Sequence, residues 1–292
     1  MGFLTGLEKM VRRGEPLAHH TWLKLGGEAE FYAEPKTLDE LVAIVKRCRD
    51  EDMPCRLLGG GSNLLVRDEG VPGLVLRLSA EAFNKIEVRG QTVLAGGGAK
   101  LGHVISSSVR EGLAGLEQLV GIPGTLGGAL HVNAGGHGGD IGQWTHGATV
   151  MTRTGQIESR RRDDLHFAYR KSSLDELVIL SVQFKLEQEA PEELTQRMQQ
   201  VWIVQKSSQP MGDQNAGCIF KNPRGMTASS LIEQAGLKGA RVGEVRVSDR
   251  HANFLIADRG ATSNDVLRLV ELVRSRVAER LGVAMENQIE IW

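Results

Sequence analysis

The chain predicts an α+β protein built from successive modules, on three observations. Apolar runs of strand length alternate with a few amphipathic helices, glycine gathers into discrete loops, and there is no fixed-period repeat. At 292 residues the chain exceeds the usual size of one domain, so two or three modules are expected, each with its own core.

The elements follow in order. Thr37 and Glu40 are spaced as a capping box, and Leu38, Leu41, Val42, Val45 and Cys48 recur on one face, which predicts an amphipathic helix. The runs 54–58, 64–66 and 73–78 read as strands, separated by the loop GGGSN and by Gly70-Val71-Pro72-Gly73. Residues 85–88 and 92–95 predict a hairpin across Arg89-Gly90, and the glycines at 96–98 lead into a helix near Leu101. From Gly112 to Gly142 glycine recurs too often for a long regular element, although Val120, Ile122, Pro123 and Leu126 keep the stretch partly buried. A long strand is expected at 177–186, and Leu194, Met198, Val201 and Trp202 mark a helix after Pro191. The last third predicts a short helix around Leu231–Ala235 ended by Gly236, a long one from Asp265 to Leu281 ended by Gly282, and a closing strand MENQIEIW.

Composition narrows the function classes. A net charge of −1 offers no field for a polyanion, so nucleic acid is not an expected partner. Three cysteines, Cys48, Cys55 and Cys218, without CxxC spacing suit neither a disulfide framework nor a zinc site and point to a reducing compartment. No run approaches the apolar length of a membrane span, and the first residues lack a signal-peptide core; a cytoplasmic protein is expected. His131, His137 and His146 lie on glycine-rich segments that fix no ligand geometry, so no metal is expected.

Glycine is the informative residue: 36 of 292 positions, against a usual share of about 7%. Gly59-Gly60-Gly61-Ser62-Asn63 sits between two strands, where bare backbone N–H groups can converge on a diphosphate. Such a loop is also a common strand connection, it lacks the P-loop lysine, and it does not open a helix in the Rossmann manner. A second loop, Gly121-Ile122-Pro123-Gly124-Thr125-Leu126-Gly127-Gly128, followed by Asn133-Ala134-Gly135-Gly136, offers a long small-residue surface for a large planar cofactor.

The runs GGGSNLLV, GIPGTLGGALHVNAGG, Tyr169-Arg170-Lys171-Ser172-Ser173 and NAGCIFKNP, with Leu231–Gly239, His251-Ala252-Asn253-Phe254 and Ala261-Thr262, occur in the order found in UDP-N-acetylenolpyruvoylglucosamine reductases. The chain resembles this MurB family from about Thr21 onward, in the subtype lacking an extra tyrosine-bearing loop. The resemblance implies an FAD-binding region of the vanillyl-alcohol-oxidase/PCMH type over 1–187, in two subdomains split near 78, followed by a substrate-binding domain over 188–292. FAD is expected to be noncovalent, held by residues 59–63 and by Gly121, Ile122, Pro123, Gly124, Gly127, Gly128, Asn133, Ala134 and Gly135. NADPH is the implied reductant. The implied reaction reduces the enolpyruvyl double bond of a nucleotide sugar to UDP-N-acetylmuramate.

Hydride arriving at the terminal carbon drives electrons toward the substrate carboxylate, so such a site needs a cation there and a proton for the adjacent carbon. By resemblance Arg170 polarises the substrate, and its permanent charge and planar fork suit a developing enolate. Cys218 stands where the family more often has serine, as the proton donor; a thiol with an ordinary pKa of about 8.5 stays protonated at neutral pH yet releases its proton more readily than an alcohol. Tyr169, Lys206, Lys221 and Asn222 are the implied substrate contacts.

The chain departs from the family at one catalytic position. Aligned on Leu281-Gly282-Val283, the family's C-terminal glutamate falls on Gln288, which can hydrogen-bond but cannot pass on a proton. On a strand, Glu286 and Glu290 share its face at roughly 6.5 Å. Three readings stand open: Gln288 orients the substrate, Glu286 or Glu290 substitutes, or the chain has altered function. Two rival functions accompany the third, a same-fold flavin oxidoreductase with another substrate and a non-catalytic flavin- or nucleotide-sugar-binding protein.

Overall fold

A computed structural model describes residues 3–136 and 138–292; His137 lies outside the described residues. The chain groups into two units, one of residues up to 13, 30–60 and 72–204, the other of 14–29, 61–71 and 205–292.

The first unit carries two sheets. Strands Val11–Pro16, Glu28–Ala33, Val71–Arg77 and Cys55–Leu58 line up in that order, the last two parallel with Cys55 opposite Leu74. The helix Leu38–Asp50 packs Leu41, Ile44, Val45 and Cys48 into a core with Leu74, Leu76 and Phe31. Its capping differs in detail from the expected box. Thr37 Oγ1 accepts the Glu40 N–H at 3.2 Å, but the Glu40 carboxylate turns to the Lys36 N–H at 2.6 Å, one residue further back.

The second sheet has the order Ile157–Arg161, Thr145–Met151, Val178–Lys185, Thr92–Gly96, Ile86–Arg89, antiparallel throughout. The apolar run at 177–186 is its central strand: Val178 and Ile179 are both buried, and burial then alternates, with Val182 and Phe184 inside and Gln183 and Lys185 exposed. The hairpin turns one residue later than expected, since Arg89 pairs with Thr92 and leaves Gly90 and Gln91 at the tip, with Gly90 at φ 56°. Helices Leu101–Arg110 and Leu126–His131 cover this sheet's core, and Leu194 of helix Pro191–Ser208 is buried in the same cluster, with Met198 packed against it. The helix expected at the start of a C-terminal domain thus lends its first half to the first unit's core.

That packing includes a buried charge. The Glu117 side chain is 1% exposed; it accepts the Gly115 N–H at 2.6 Å and Arg197 Nη1 at 2.8 Å, while Arg197 Nη2 reaches Glu189 at 2.7 Å. Both carboxylates hold the Arg197 guanidinium in its charged form.

The second unit is built on the helix Ser263–Leu281, which buries Val266, Leu269, Val270, Val273 and Val277 against the helix Ala228–Gln234 and the antiparallel strands Arg241–Val242, Val245–Val247 and Leu255–Ala257. Its ends follow the sequence signals. Thr262 and Asp265 form a reciprocal capping box, and Gly282 closes the helix at φ 68°. The Asp68 carboxylate adds two bonds to the Ser263 N–H, at 3.1 and 3.2 Å. The closing strand is shorter than expected: only Glu290–Ile291 pairs as a strand, parallel to Leu64–Leu65, and Asn287 forms an isolated bridge with Phe220. Among the described residues no helix is long and apolar enough to cross a membrane.

His251 stacks edge-on against Phe254 at 4.8 Å, and its Nδ1 accepts the Asn253 N–H at 3.3 Å. Burial pushes its pKa below the ordinary 6.5; its own backbone and Glu233 pull upward, and Lys238 pulls downward. The folded state therefore favours the neutral ring.

Two outcomes are expected. Arg197→Ala leaves a carboxylate buried and lowers the unfolding free energy by about 2 kcal/mol in urea titrations, whereas Glu189→Ala, which removes a half-exposed partner, costs less than about 1 kcal/mol. A folded-state pKa depressed below the unfolded value gives stability that is present above about pH 6.5 and lost as pH falls. His251→Gln flattens that acid-side loss in thermal melts compared between about pH 7.5 and about pH 5.5.

Candidate functional site

In the first unit the two glycine loops meet. A Cβ on residue 60 would lie 2.5 Å from Gly124 Cα, and one on residue 59 would lie 2.8 Å from Thr125 Oγ1, so bare backbone is required for the approach. Gly121 and Gly124 take φ of 84° and 111°, and Thr125 Oγ1 then caps the helix Leu126–His131 through the Gly128 N–H at 3.4 Å. Gly127 donates to the Gly97 carbonyl at 2.8 Å, which fixes the loop against the strand end. Ile122 packs on the core, and Pro123 completes the turn between the two glycines. Ile122, Leu126, Gly127 and Gly128 spend their N–H groups on Leu119, Ala99, Gly97 and Thr125, and Pro123 has none, so Gly59, Gly60, Gly124 and Thr125 carry the backbone amides that suit an FAD diphosphate.

The same helix organises Arg170. Tyr169 and Arg170 are the two-residue turn between the short strands Phe167–Ala168 and Lys171–Ser172, with Arg170 at φ 56°. Three bonds tie that turn to the helix end: Asn133 Nδ2 to the Ala168 carbonyl at 2.9 Å, Ser172 Oγ to the His131 carbonyl at 2.8 Å, and Arg170 Nη1 to the Gly135 carbonyl at 2.8 Å. Arg170 Nε is buried and has no protein partner, a donor on a permanent cation left for another group. Tyr169 is 55% exposed, with the Arg170 guanidinium 5.6 Å from its ring centre.

Asn133, grouped above with the cofactor contacts, spends both ends of its amide on the protein. Its Oδ1 accepts the Gly142 N–H at 3.0 Å, and the residue is 2% exposed. Ala134 is likewise buried and bonded through its backbone to Ala129 and Ile141. Both hold the loop from behind, while Gly135 carries the carbonyl that anchors Arg170.

In the second unit the rest of the first glycine loop lies beside the Cys218 segment. Gly61, at φ 65°, presses on the His20 carbonyl, 2.0 Å from where a Cβ would fall, and its own carbonyl accepts the Trp22 N–H. A Cβ on Gly217 would lie 3.8 Å from the Ser62 carbonyl. Asn63 Nδ2 donates to the Gln288 carbonyl at 3.0 Å, and the Glu290 N–H donates to the Asn63 carbonyl at 3.0 Å. The Ile219 carbonyl in turn accepts both the Gln288 N–H at 2.7 Å and the Ile289 N–H at 3.3 Å. Cys218 and Gln288 thus sit one register step apart on neighbouring segments, with Asn63 on the far side of Gln288.

The two glutamates near Gln288 are engaged or exposed. Glu286 pairs with Lys221 Nζ at 2.5 Å and is 74% exposed at its side chain, and Glu290 is exposed. Asn222 Oδ1 accepts the Ala228 N–H at 2.9 Å ahead of a helix, and Lys206 is exposed in the last turn of its own helix. Sequence reading missed the residues that hold these segments, among them Thr125, Gly217 and Asn253. All three stand in quoted motifs; Thr125 caps the helix through Gly128, three residues on, whereas the partner of Asn253 is Phe220, far along the chain.

The chain is similar to known proteins over nearly its whole length. Residues 29–159 match the FAD binding domain family, and residues 209–292 match the UDP-N-acetylenolpyruvoylglucosamine reductase C-terminal domain. UDP-N-acetylenolpyruvoylglucosamine reductase 2 of Symbiobacterium thermophilum is 43% identical over 97% of this chain and 92% of its own. The crystal structure of UDP-N-acetylenolpyruvylglucosamine reductase from Thermus caldophilus superposes with a TM-score of 0.83 at 37% identity, covering 97% of this chain and 98% of that one. A grass pollen allergen with glucose dehydrogenase activity shares the fold alone, at a TM-score of 0.52 and 12% identity over 97% of this chain and 63% of its own. The chain belongs to the UDP-N-acetylenolpyruvoylglucosamine reductase family.

Proposed function

We propose that the protein reduces UDP-N-acetylenolpyruvoylglucosamine to UDP-N-acetylmuramate with NADPH, using noncovalent FAD, in the cytoplasm, as a step of peptidoglycan precursor synthesis. The observation that carries this reading is the bracket at Ile219, which sets Cys218 beside Gln288 within one hydrogen-bonded unit. In balance, the substrate gains a hydride at the terminal carbon and a proton at the adjacent one, and NADPH leaves as NADP.

FAD held at the glycine loops would supply the hydride relay between NADPH and the substrate. The residues handle the remaining charge. The backbone amides of Gly59, Gly60, Gly124 and Thr125 would hold the FAD diphosphate, on the loops 59–63 and 121–128. Arg170, fixed by Gly135 and with Nε uncommitted, stabilises the negative charge that develops toward the substrate carboxylate. The Cys218 thiol delivers the proton. Gln288 orients the substrate by hydrogen bonding; the engagement of Glu286 by Lys221 supports this reading over a substitute glutamate. Tyr169, Lys206, Lys221 and Asn222 are the further substrate contacts of this reading, and residues 188–292 are its substrate-binding domain, apart from the first half of the helix Pro191–Ser208, which packs in the first unit.

Anaerobic stopped-flow separates the two halves. NADPH bleaches the flavin absorbance and UDP-N-acetylenolpyruvoylglucosamine restores it; a protein that carries no flavin, or whose reduced flavin ignores the sugar even after Gln288→Glu, overturns the proposal. Cys218→Ala leaves bleaching intact and slows restoration by about 100-fold, while Gln288→Glu speeds restoration by about 10-fold. Gly60→Ala, whose methyl group would meet Gly124, is expected to be purified with less than about one tenth of the wild-type flavin content, read from its visible absorbance.

A further inference from the structure

The motif His251-Ala252-Asn253-Phe254 has no part in the chemistry above, yet its asparagine is 2% exposed and fully committed. Asn253 Oδ1 accepts the Phe220 N–H at 3.0 Å, and Asn253 Nδ2 donates to the Phe220 carbonyl at 2.8 Å. Its backbone carbonyl accepts the Ile219 N–H at 2.9 Å. One residue therefore makes three of the bonds that hold the tripeptide Cys218-Ile219-Phe220, and Cys218 forms an isolated antiparallel bridge with the next residue, Phe254. On its other edge the tripeptide meets the C-terminal segment, through the Phe220–Asn287 bridge and the Ile219 carbonyl.

We infer that Asn253 is a positioning residue for the proton donor: its side-chain amide stands in for a missing strand, clamps Phe220 by both backbone groups, and so fixes Cys218 against the segment that carries Gln288. The inference rests on the reductase reading. The chemistry of the clamp is specific, because one N–H donor and one oxygen acceptor match the backbone carbonyl and N–H of one residue. Aspartate keeps the acceptor and loses the donor. Its charged form faces the Phe220 carbonyl without a hydrogen between them, in a buried place where nothing else compensates. Protonating that aspartate restores a donor. His251, which accepts the Asn253 N–H and is influenced by Glu233 and Lys238, is the titratable neighbour and is common to wild type and variant.

The test uses the full chain with its flavin. Asn253→Asp is expected to slow restoration of flavin absorbance by UDP-N-acetylenolpyruvoylglucosamine by about 100-fold at about pH 8, the loss that a misplacement of about 1 Å brings, with NADPH bleaching unchanged. The ratio of variant to wild-type restoration rates rises as pH falls toward about pH 5.5, because burial places the new carboxyl's titration in that range. Iodoacetamide alkylation of Cys218, followed by peptide mass spectrometry without any substrate, changes rate in Asn253→Asp and Asn253→Ala alike. Loss of bleaching and restoration together, or Cys218 alkylation within about two-fold of wild type in both folded variants, overturns the inference. Where neither variant folds, amide exchange in the wild-type protein decides: Phe220 N–H among the slowest between 215 and 222 supports the clamp, and fast exchange refutes it. Wild-type protein that bleaches with NADPH but never recovers with the sugar is the failure of the reductase reading, and the alkylation result stands apart from it.

Discussion

Everything in the cofactor half of the molecule depends on a steric condition at one point: the backbones at residues 60 and 124 approach so closely that a single methyl group on residue 60 would reach within 2.5 Å of Gly124 Cα. Two loops more than sixty positions apart can bring their backbones together only if neither brings a side chain to the meeting place. The glycine excess of the chain is therefore spent locally, on close approach, more than on flexibility. The loop at 121–128 is then made rigid from behind, by Thr125 at the helix start and by Gly127 on Gly97.

The catalytic half works on the opposite principle, with dense polar bonding in place of bare backbone. Cys218 lies on a three-residue segment bonded on both edges, and the Ile219 carbonyl is shared by the N–H groups of Gln288 and Ile289, just before the C-terminal strand. Arg170 shows the same economy in the first unit: a turn at positive φ, tethered by Asn133, Ser172 and Gly135, leaves the Nε as the unsatisfied group. A charged or acidic side chain so held arrives at the reaction with little freedom left to lose, which is where positioning residues contribute to rate.

Legibility in the sequence followed the range of the interactions involved. The helices Leu38–Asp50 and Ser263–Leu281 were readable because caps and apolar spacing lie within a few residues of each other, and the central strand at 178–185 was readable because its apolar residues run together over a strand's length. The strands Thr145–Met151 and Ile157–Arg161 were not identified; Ile157–Arg161 is a polar edge strand whose pairing, not its composition, makes it regular. Resemblance located Arg170, Cys218 and Gln288 as positions. It could not say that Asn133 faces inward, nor that Glu286 is already taken by Lys221, because those facts belong to partners distant along the chain.

The parallel pairing of Glu290–Ile291 with Leu64–Leu65 has a consequence for how the polypeptide is made. During synthesis the early segments 14–29 and 61–71 leave the ribosome long before the residues 205–292 with which they group. Within them Leu64 and Leu65 wait for their strand partner while more than two hundred further residues are added. Closure of that unit is thus a late, long-range event with a high loop-closure cost, and the nascent chain is most exposed to aggregation and to chaperone capture at its first glycine loop.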